Sequence, residues 1–243
     1  MRPKAPRHGA ARAISKLGLG SRTQAAQWVR EGRVRVNGRV VTDPEFPVRV
    51  GRDRVTVEGL EGSPPRLVIM LNKPRGLVTT ARDEQGRDTV YGCFAGANLP
   101  WLAPVGRLDK ASEGLLLFSN DPAWAARVTN PVTGPDKTYH VQIDCVADAA
   151  LIAKLHRGAH VDGELLRAKT VRTLRSGQKN SWLEITLDEG RNRQIRRLLS
   201  AFDVAVLRLI RVCIGALELG QLPKAGWRVV TEREIESLVP PSL

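Results

Sequence analysis

The stretch Gly106-Arg107-Leu108-Asp109-Lys110-Ala111-Ser112-Glu113-Gly114 runs straight into Leu115-Leu116-Leu117-Phe118-Ser119-Asn120-Asp121. It places a charged loop directly in front of a short apolar run. Residues 115–118 offer no polar face to water, so they read as a central strand covered above and below, a rigid element on which a site can be held. Asp109 lies just outside that strand, between Arg107 and Lys110. Positive charge nearby favours the charged form of a carboxylate, and a carboxylate fixed in this way can act as a nucleophile. Taken alone, the same residue reads first as the acid of a structural ion pair, the more frequent use of an Asp among basic neighbours.

The full string resembles the signature of the RNA pseudouridine synthases, in particular the ribosomal-RNA branch. Gly-Arg-Leu-Asp is followed by a hydroxyl residue at Ser112, then by Gly114 and a Leu-rich strand. Three further stretches carry the resemblance in the family's order. Asn72-Lys73-Pro74-Arg75-Gly76 is similar to its first motif and Lys137-Thr138-Tyr139 to its tyrosine motif, while Glu189-Gly190-Arg191-Asn192-Arg193-Gln194-Ile195-Arg196-Arg197 is similar to its basic helix motif. Together they cover residues 67–236. Ser112 departs from the more usual Thr but keeps the hydroxyl.

Charge points to the same class of partner. The 243-residue chain has a net charge of +13 and a pI near 10.5, which suits a polyanion such as nucleic acid. Residues 1–66 hold 14 of the 38 basic and 6 of the 25 acidic residues, and so +8 of the +13. More than half of the excess therefore sits in about a quarter of the chain. No apolar run reaches the roughly 18 residues of a membrane span, and the basic N-terminus lacks a hydrophobic signal core; a cytoplasmic location is expected. Cys93, Cys145 and Cys213 are odd in number and far apart, so neither a disulfide framework nor a zinc ribbon is indicated. His156 and His160 could share a helical face, but Gly158 between them reads as a helix stop and no third ligand is near.

Taken in order, residues 1–11 read as a disordered basic tail. Residues 12–58 read as a small RNA-binding domain. Ala13, Ile14 and Leu17 make a short amphipathic helix; Ser21 with Gln24 signals the cap of a second, whose apolar face is Ala25, Trp28 and Val29 until Gly32 ends it. A hairpin follows, Arg33-Val34-Arg35-Val36 and Arg39-Val40-Val41 around Asn37-Gly38. Its period-2 alternation buries valines and displays arginines. With a further strand at residues 53–57, this block resembles the alpha-L RNA-binding module of the S-four type. Arg22, Arg33, Arg35 and Arg39 are its expected RNA contacts, joined by Lys73 and Arg193 from the second domain.

Residues 59–66 read as a linker and residues 67–238 as the catalytic domain. Its expected elements are a buried strand at residues 67–71, mostly loop over residues 80–104, and a helix after Asp121-Pro122 ending before Pro131. A strand over residues 138–144 follows, with Tyr139, Val141 and Ile143 on one face, then a helix over residues 148–157 and strands within residues 171–187. In the helix expected after Gly190, Arg193 shares a basic edge with Arg196 and Arg197. Residues 204–212 form another strand, and Thr231 with Glu234 caps a last helix. Many strands with a few interspersed helices favour an α+β domain around a mainly antiparallel sheet, and the resemblance implies the same fold.

The resemblance implies that a uridine in RNA is released from its N-glycosidic bond, rotated and rejoined through C5. Such a base must leave the stack. By the same resemblance Asp109 is the catalytic carboxylate, Tyr139 the stacking platform, Arg107 the residue filling the vacated space and Arg196 the partner that holds Asp109. No cofactor or metal is expected, and the partner would be ribosomal RNA of either subunit, met by a monomer. Two rivals stand beside this reading. A non-catalytic RNA-binding or ribosome-assembly protein would account for the N-terminal block but would not require Asp109, Tyr139 and Arg196 together. A sugar or nucleotide hydrolase would need a second carboxylate as general acid, and no motif supplies one.

Overall fold

The structure is a computed structural model that describes residues 6–60, 65–81 and 83–239. The chain divides into two compact units, the first comprising Met1–Leu67, Ala97–Ala103 and Phe118–Ala125, the second the remainder.

The first unit begins with β1 (His8–Gly9) and α1 (Ala10–Lys16), followed by α2 (Arg22–Arg30), β2 (Val34–Val36), β3 (Arg39–Val41), β4 (Pro47–Val48) and β5 (Val55–Val57). The expectation of a disordered tail over residues 1–11 is corrected here. Residues 8 and 9 pair antiparallel with β4, the amide of Ala11 donates to the carbonyl of Pro44 at 3.0 Å, and Ala10 is fully buried. A two-residue strand whose partner lies about forty positions away leaves no local periodicity to read. Residues 1–5 of that tail, and residues 61–64 of the expected linker, lie outside the described residues.

Ser21 caps α2 by accepting the amide of Gln24 at 3.1 Å. The hairpin forms as the turn chemistry dictates: Asn37 and Gly38 both adopt positive φ, 52° and 83°, as a tight primed turn requires. β5 completes a three-stranded sheet on the other side of β2. Val34, Val36, Val41 and Val57 turn inward against Ile14, Ala25 and Val29 of the helices, while Arg35 and Arg39 face solvent. Arg33 behaves differently. It folds back, donating to the Glu58 carbonyl at 3.0 Å with its guanidinium 5.9 Å from the Trp28 ring centre.

The rest of the chain runs β6 (Val68–Lys73), a 3-10 turn at Val90–Phe94, β7 (Ala103–Val105), β8 (Glu113–Ser119), α3 (Pro122–Val128), β9 (Lys137–Ile143), α4 (Ala149–Arg157), β10 (Ala159–Val161), β11 (Glu164–Leu166), β12 (Thr170–Ser176), β13 (Ser181–Leu187), α5 (Gln194–Ser200), β14 (Val206–Ile214), β15 (Leu217–Glu218), β16 (Trp227–Val229) and α6 (Glu232–Leu238). One nine-stranded sheet carries it, in the order β12-β13-β9-β14-β8-β6-β16, with β15 and β7 beside β14 and β8. The sheet is mostly antiparallel, as expected; β8 and β14 run parallel. Every residue of β8 is buried, as its unbroken apolar run demands.

Alternation along β9 and β13 sends Val141, Ile143, Leu183 and Ile185 to one face, where they pack with Leu155 of α4 and Ile195, Leu198 and Leu199 of α5. Caps set the helix ends. Asp148 accepts the Leu151 amide at 2.7 Å, Asp121 accepts those of Ala123 and Trp124 at 3.0 and 2.9 Å, and Thr231 with Glu234 closes a complete capping box. Gly114 has φ of 100° and lies so close to β14 that a side chain there would collide with the backbone of Arg211. Glu113 beside it is gripped by Arg208 of β14 at 2.8 and 2.9 Å and by Lys224 at 3.2 Å. Arg208, before Lys224, holds that carboxyl below its usual range. Both residues fix β8, and with it the turn ahead, against β14. Among the described residues no helix is long and apolar enough to cross a membrane.

Candidate active site

The turn in front of β8 is held through its backbone. Its five consecutive carbonyls from Leu108 to Ser112 each have a donor. The Thr79 hydroxyl reaches that of Leu108 at 2.7 Å, Lys73 Nζ those of Asp109 and Ser112 at 3.1 and 2.8 Å, the Gly76 amide that of Lys110 at 2.8 Å, and Arg196 Nη2 that of Ala111 at 3.3 Å. With the backbone so fixed, the Asp109 side chain projects from a rigid support and stays one-third exposed. Ser112 is buried and its hydroxyl has no partner among the described residues, so the Ser-for-Thr departure costs no visible hydrogen bond.

Lys73 was expected as an RNA contact, and the structure corrects this: it is fully buried, beneath the turn. Its third donor goes to the Pro74 carbonyl at 3.1 Å. Burial pushes its ammonium down to about 8, against the opposing pull of Asp109 and Glu113. The partners that claim it are about forty positions away in sequence, which is why the motif alone suggests a surface lysine.

The pairing of Asp109 also differs from the expectation. Its carboxylate meets Arg193 Nη1 at 3.5 Å, not Arg196. Arg193 is the residue before α5, in the left-handed region at φ 48° and ψ 32°, so it leaves the helical register that would align it with Arg196 and Arg197. The three arginines diverge. Arg196 donates to the carbonyls of Ala111 and Val206 at 3.3 and 3.2 Å, bracing the turn from behind. Burial and then Arg193 weaken its hold on its proton, with Asp109 opposing. Arg197 turns away to Glu164 and Asp162, at 2.9 and 3.1 Å.

Gln194, a residue the sequence reading passed over, keeps the loop ahead of α5 in place. It is buried and its amide donates to Glu189 Oε1 at 2.7 Å and to the Arg167 carbonyl at 3.2 Å. A glutamine at a helix start gives no signal of burial in sequence.

A cavity of about 270 Å³ opens beside Asp109, lined also by Arg107, Tyr139, Arg193 and Arg196. Its volume lies near the lower end of ligand pockets, room for one nucleoside rather than a stacked segment. Tyr139 reaches it from β9, half-buried against the core formed by the sheet and α4 and α5. Arg107 is exposed at its mouth. Two cations that the sequence reading did not single out also line it, Lys137 and Arg211. The available signal was positional: Lys137 and Tyr139 are two apart and share a strand face. Arg22, Arg33, Arg35 and Arg39 belong to the first unit; Arg22, Arg35 and Arg39 are exposed, and Arg33 is partly withdrawn by its bonds to Glu58 and Trp28.

Comparison with known proteins identifies the family. The family described as RNA pseudouridylate synthase matches residues 67–201, and the S4 domain matches residues 11–53. The chain is 36% identical over 230 residues to the ribosomal large subunit pseudouridine synthase B of Bacillus subtilis strain 168, covering 93% of each chain. It is 35% identical over 228 residues to an uncharacterized RNA pseudouridine synthase of Aquifex aeolicus, covering 93% of this chain and 91% of that one. A crystal structure of a pseudouridylate synthase superposes with a TM-score of 0.67 at 28% identity, over 96% of this chain and 100% of the other. The chain therefore belongs to the RNA pseudouridylate synthase family, isomerases of uridine in RNA, and carries an S4 domain ahead of the synthase domain.

Proposed function

We propose that this enzyme converts a uridine of large-subunit ribosomal RNA to pseudouridine, with Asp109 as the catalytic carboxylate. One observation carries the reading. Asp109 stands at the cavity on a turn whose backbone is held at five successive carbonyls, the preorganisation that a reacting group needs and a surface ion pair does not. The substrate class is supported by relatives named for the large ribosomal subunit, from Bacillus subtilis and from Haemophilus influenzae.

The target nucleotide leaves its stack and its base lies on Tyr139, while Arg107 at the mouth occupies the space left behind. Asp109 acts as nucleophile or base while Arg193 and Arg196 hold positive charge around it. The C1′–N1 bond breaks with its electron pair on the ring, the base turns, C5 rejoins C1′, and the C5 proton is replaced by one on N1. No atom is gained or lost. Arg22, Arg35 and Arg39 of the S4 domain contact phosphates and raise affinity without reading the base.

The test is conversion of transcribed large- and small-subunit ribosomal RNA by the purified protein, followed by site-by-site mapping of pseudouridine. Conversion of a defined uridine in the large-subunit RNA is expected. No conversion, or conversion confined to the small-subunit RNA, contradicts the proposal.

A further inference from the structure

The cavity beside Asp109 holds more positive charge than its one carboxylate accounts for. Arg211 is 6% exposed. Its Nε donates to the Leu115 carbonyl at 2.7 Å, its Nη2 meets no acceptor, and no ion pair to it occurs among the described residues. The Lys137 side chain, half-buried, likewise makes no hydrogen bond or ion pair among the described residues. Burial, and then Arg211 itself, lower its pKa, with Asp136 and Asp188 opposing. A cation withdrawn from water without a counter-charge destabilises a fold, and apolar residues of similar size often serve it better. Folding alone thus gives no reason for the pair.

Register says what they face. Arg211 stands directly opposite Tyr139 on the neighbouring strand, and Lys137 stands opposite Ile214, two residues from Tyr139 on the same strand face. Both cations therefore flank the residue proposed to carry the base. Resting on the function proposed above, we infer that Arg211 and Lys137 form an anion subsite for the uracil ring, stabilising the negative charge it acquires as the glycosidic bond breaks.

The charge in question is fixed by the bookkeeping of the reaction. When the C1′–N1 pair of electrons stays with the base, the ring becomes an anion whose charge spreads to its carbonyl oxygens; it is discharged when C5 bonds to C1′, and the C5 proton then passes to N1 with no change in net charge. Donors already in place where charge develops need no reorganisation during the step, and removing one such donor lowers rates by about 100- to 1000-fold in acyl-transfer enzymes. A phosphate of the same nucleotide is the other anion that could meet two cations. Its charge is constant through the reaction, so it would be felt in binding and not in bond breaking.

Leaving-group dependence separates the two. Single-turnover loss of the N-linked base is measured for a substrate RNA carrying uridine or 5-fluorouridine at the target; the fluorinated ring holds negative charge better and needs less help. Lys137→Met and Arg211→Gln should each slow the uridine reaction by about 100-fold, leave RNA affinity nearly unchanged, and slow the 5-fluorouridine reaction by much less. Lys137→Arg, which keeps the charge, should recover most of the loss. Equal losses on both substrates, or weaker binding at an unchanged rate, would overturn the assignment. If Arg211→Gln does not fold, Lys137→Met decides alone, since that side chain makes no hydrogen bond among the described residues. Inactivity of the unmodified enzyme on the uridine RNA would instead count against the proposed function.

Discussion

Lys73 Nζ donates to the backbone carbonyl of Asp109 at 3.1 Å. The bond lies under the residue proposed to do the chemistry and is joined by those to Ser112 and Pro74, so one buried ammonium sets the height and tilt of the whole turn. Replacing it by Met keeps the volume of the stem and removes three donors. Hydrogen bonds to a charged group contribute roughly 1.5–3 kcal/mol each, offset by relief of a buried charge. We expect Lys73→Met to lower stability by about 2–4 kcal/mol, and to lower kcat more than RNA affinity. Denaturant unfolding together with single-turnover kinetics checks both; an unaltered kcat would show that the turn holds itself.

The same lysine predicts a pH effect with opposite signs for activity and stability. Its pKa is lowered from 10.5 to about 8 by burial, so the folded protein releases this proton more readily than the unfolded chain does. Stability from this group therefore rises as pH climbs from about 8 towards 10.5. Activity should fall as pH rises through about 8, where the folded protein releases this proton, because the neutral amine has one donor fewer for the turn. A pH–rate profile beside a pH–stability profile reads the divergence; parallel decline of the two would exclude Lys73 as the titrating group.

The arginines near Asp109 should separate by role. Arg193 is half-exposed and meets the carboxylate at 3.5 Å, a weak contact in water; Arg193→Ala should cost about tenfold or less in turnover and leave stability within about 0.5 kcal/mol. Arg196 braces Ala111 and Val206 from a buried position, so Arg196→Ala should impair both folding stability and kcat. Kinetics and thermal unfolding of the two variants decide, and a reversed order would mean that Arg193 is the structural residue.

In the S4 domain, Arg35 and Arg39 are exposed, while Arg33 is occupied by Glu58 and Trp28. Arg35→Ala and Arg39→Ala should each reduce the slope of log affinity against log salt by about one unit for a phosphate contact. Arg33→Ala should change it less. Filter binding across salt concentrations measures these slopes, and a slope indifferent to all three changes would remove this face from the RNA interface.

What could be read in the sequence was what depends on neighbours in the chain. The β8 run, the Asn37-Gly38 turn and the caps at Ser21, Asp121 and Thr231 are local patterns with local causes, and each appears in the fold. Tyr139 and Asp109 could be placed near one another only through the family resemblance, and they do line one cavity. The direction of a side chain was less legible. One left-handed residue at Arg193 undoes a helical face, and the burial of Lys73 and Arg211 follows from carbonyls supplied by a distant turn and a distant strand. Lysine and arginine are ordinarily surface residues, so a buried one is visible only once the strands are assembled.

The central claim is that Asp109 performs the chemistry, and Asp109→Asn is its most direct test. The substitution keeps the size of the side chain and leaves untouched the backbone bonds that hold the turn, while it removes the charge and lone pairs that nucleophilic or base catalysis uses. Conversion of uridine to pseudouridine under single-turnover conditions, with enzyme in excess over target RNA, is the measurement. The account predicts a folded protein that binds the RNA with nearly normal affinity and forms no pseudouridine. An Asp109→Asn enzyme that converts the uridine at a near-normal rate would contradict it.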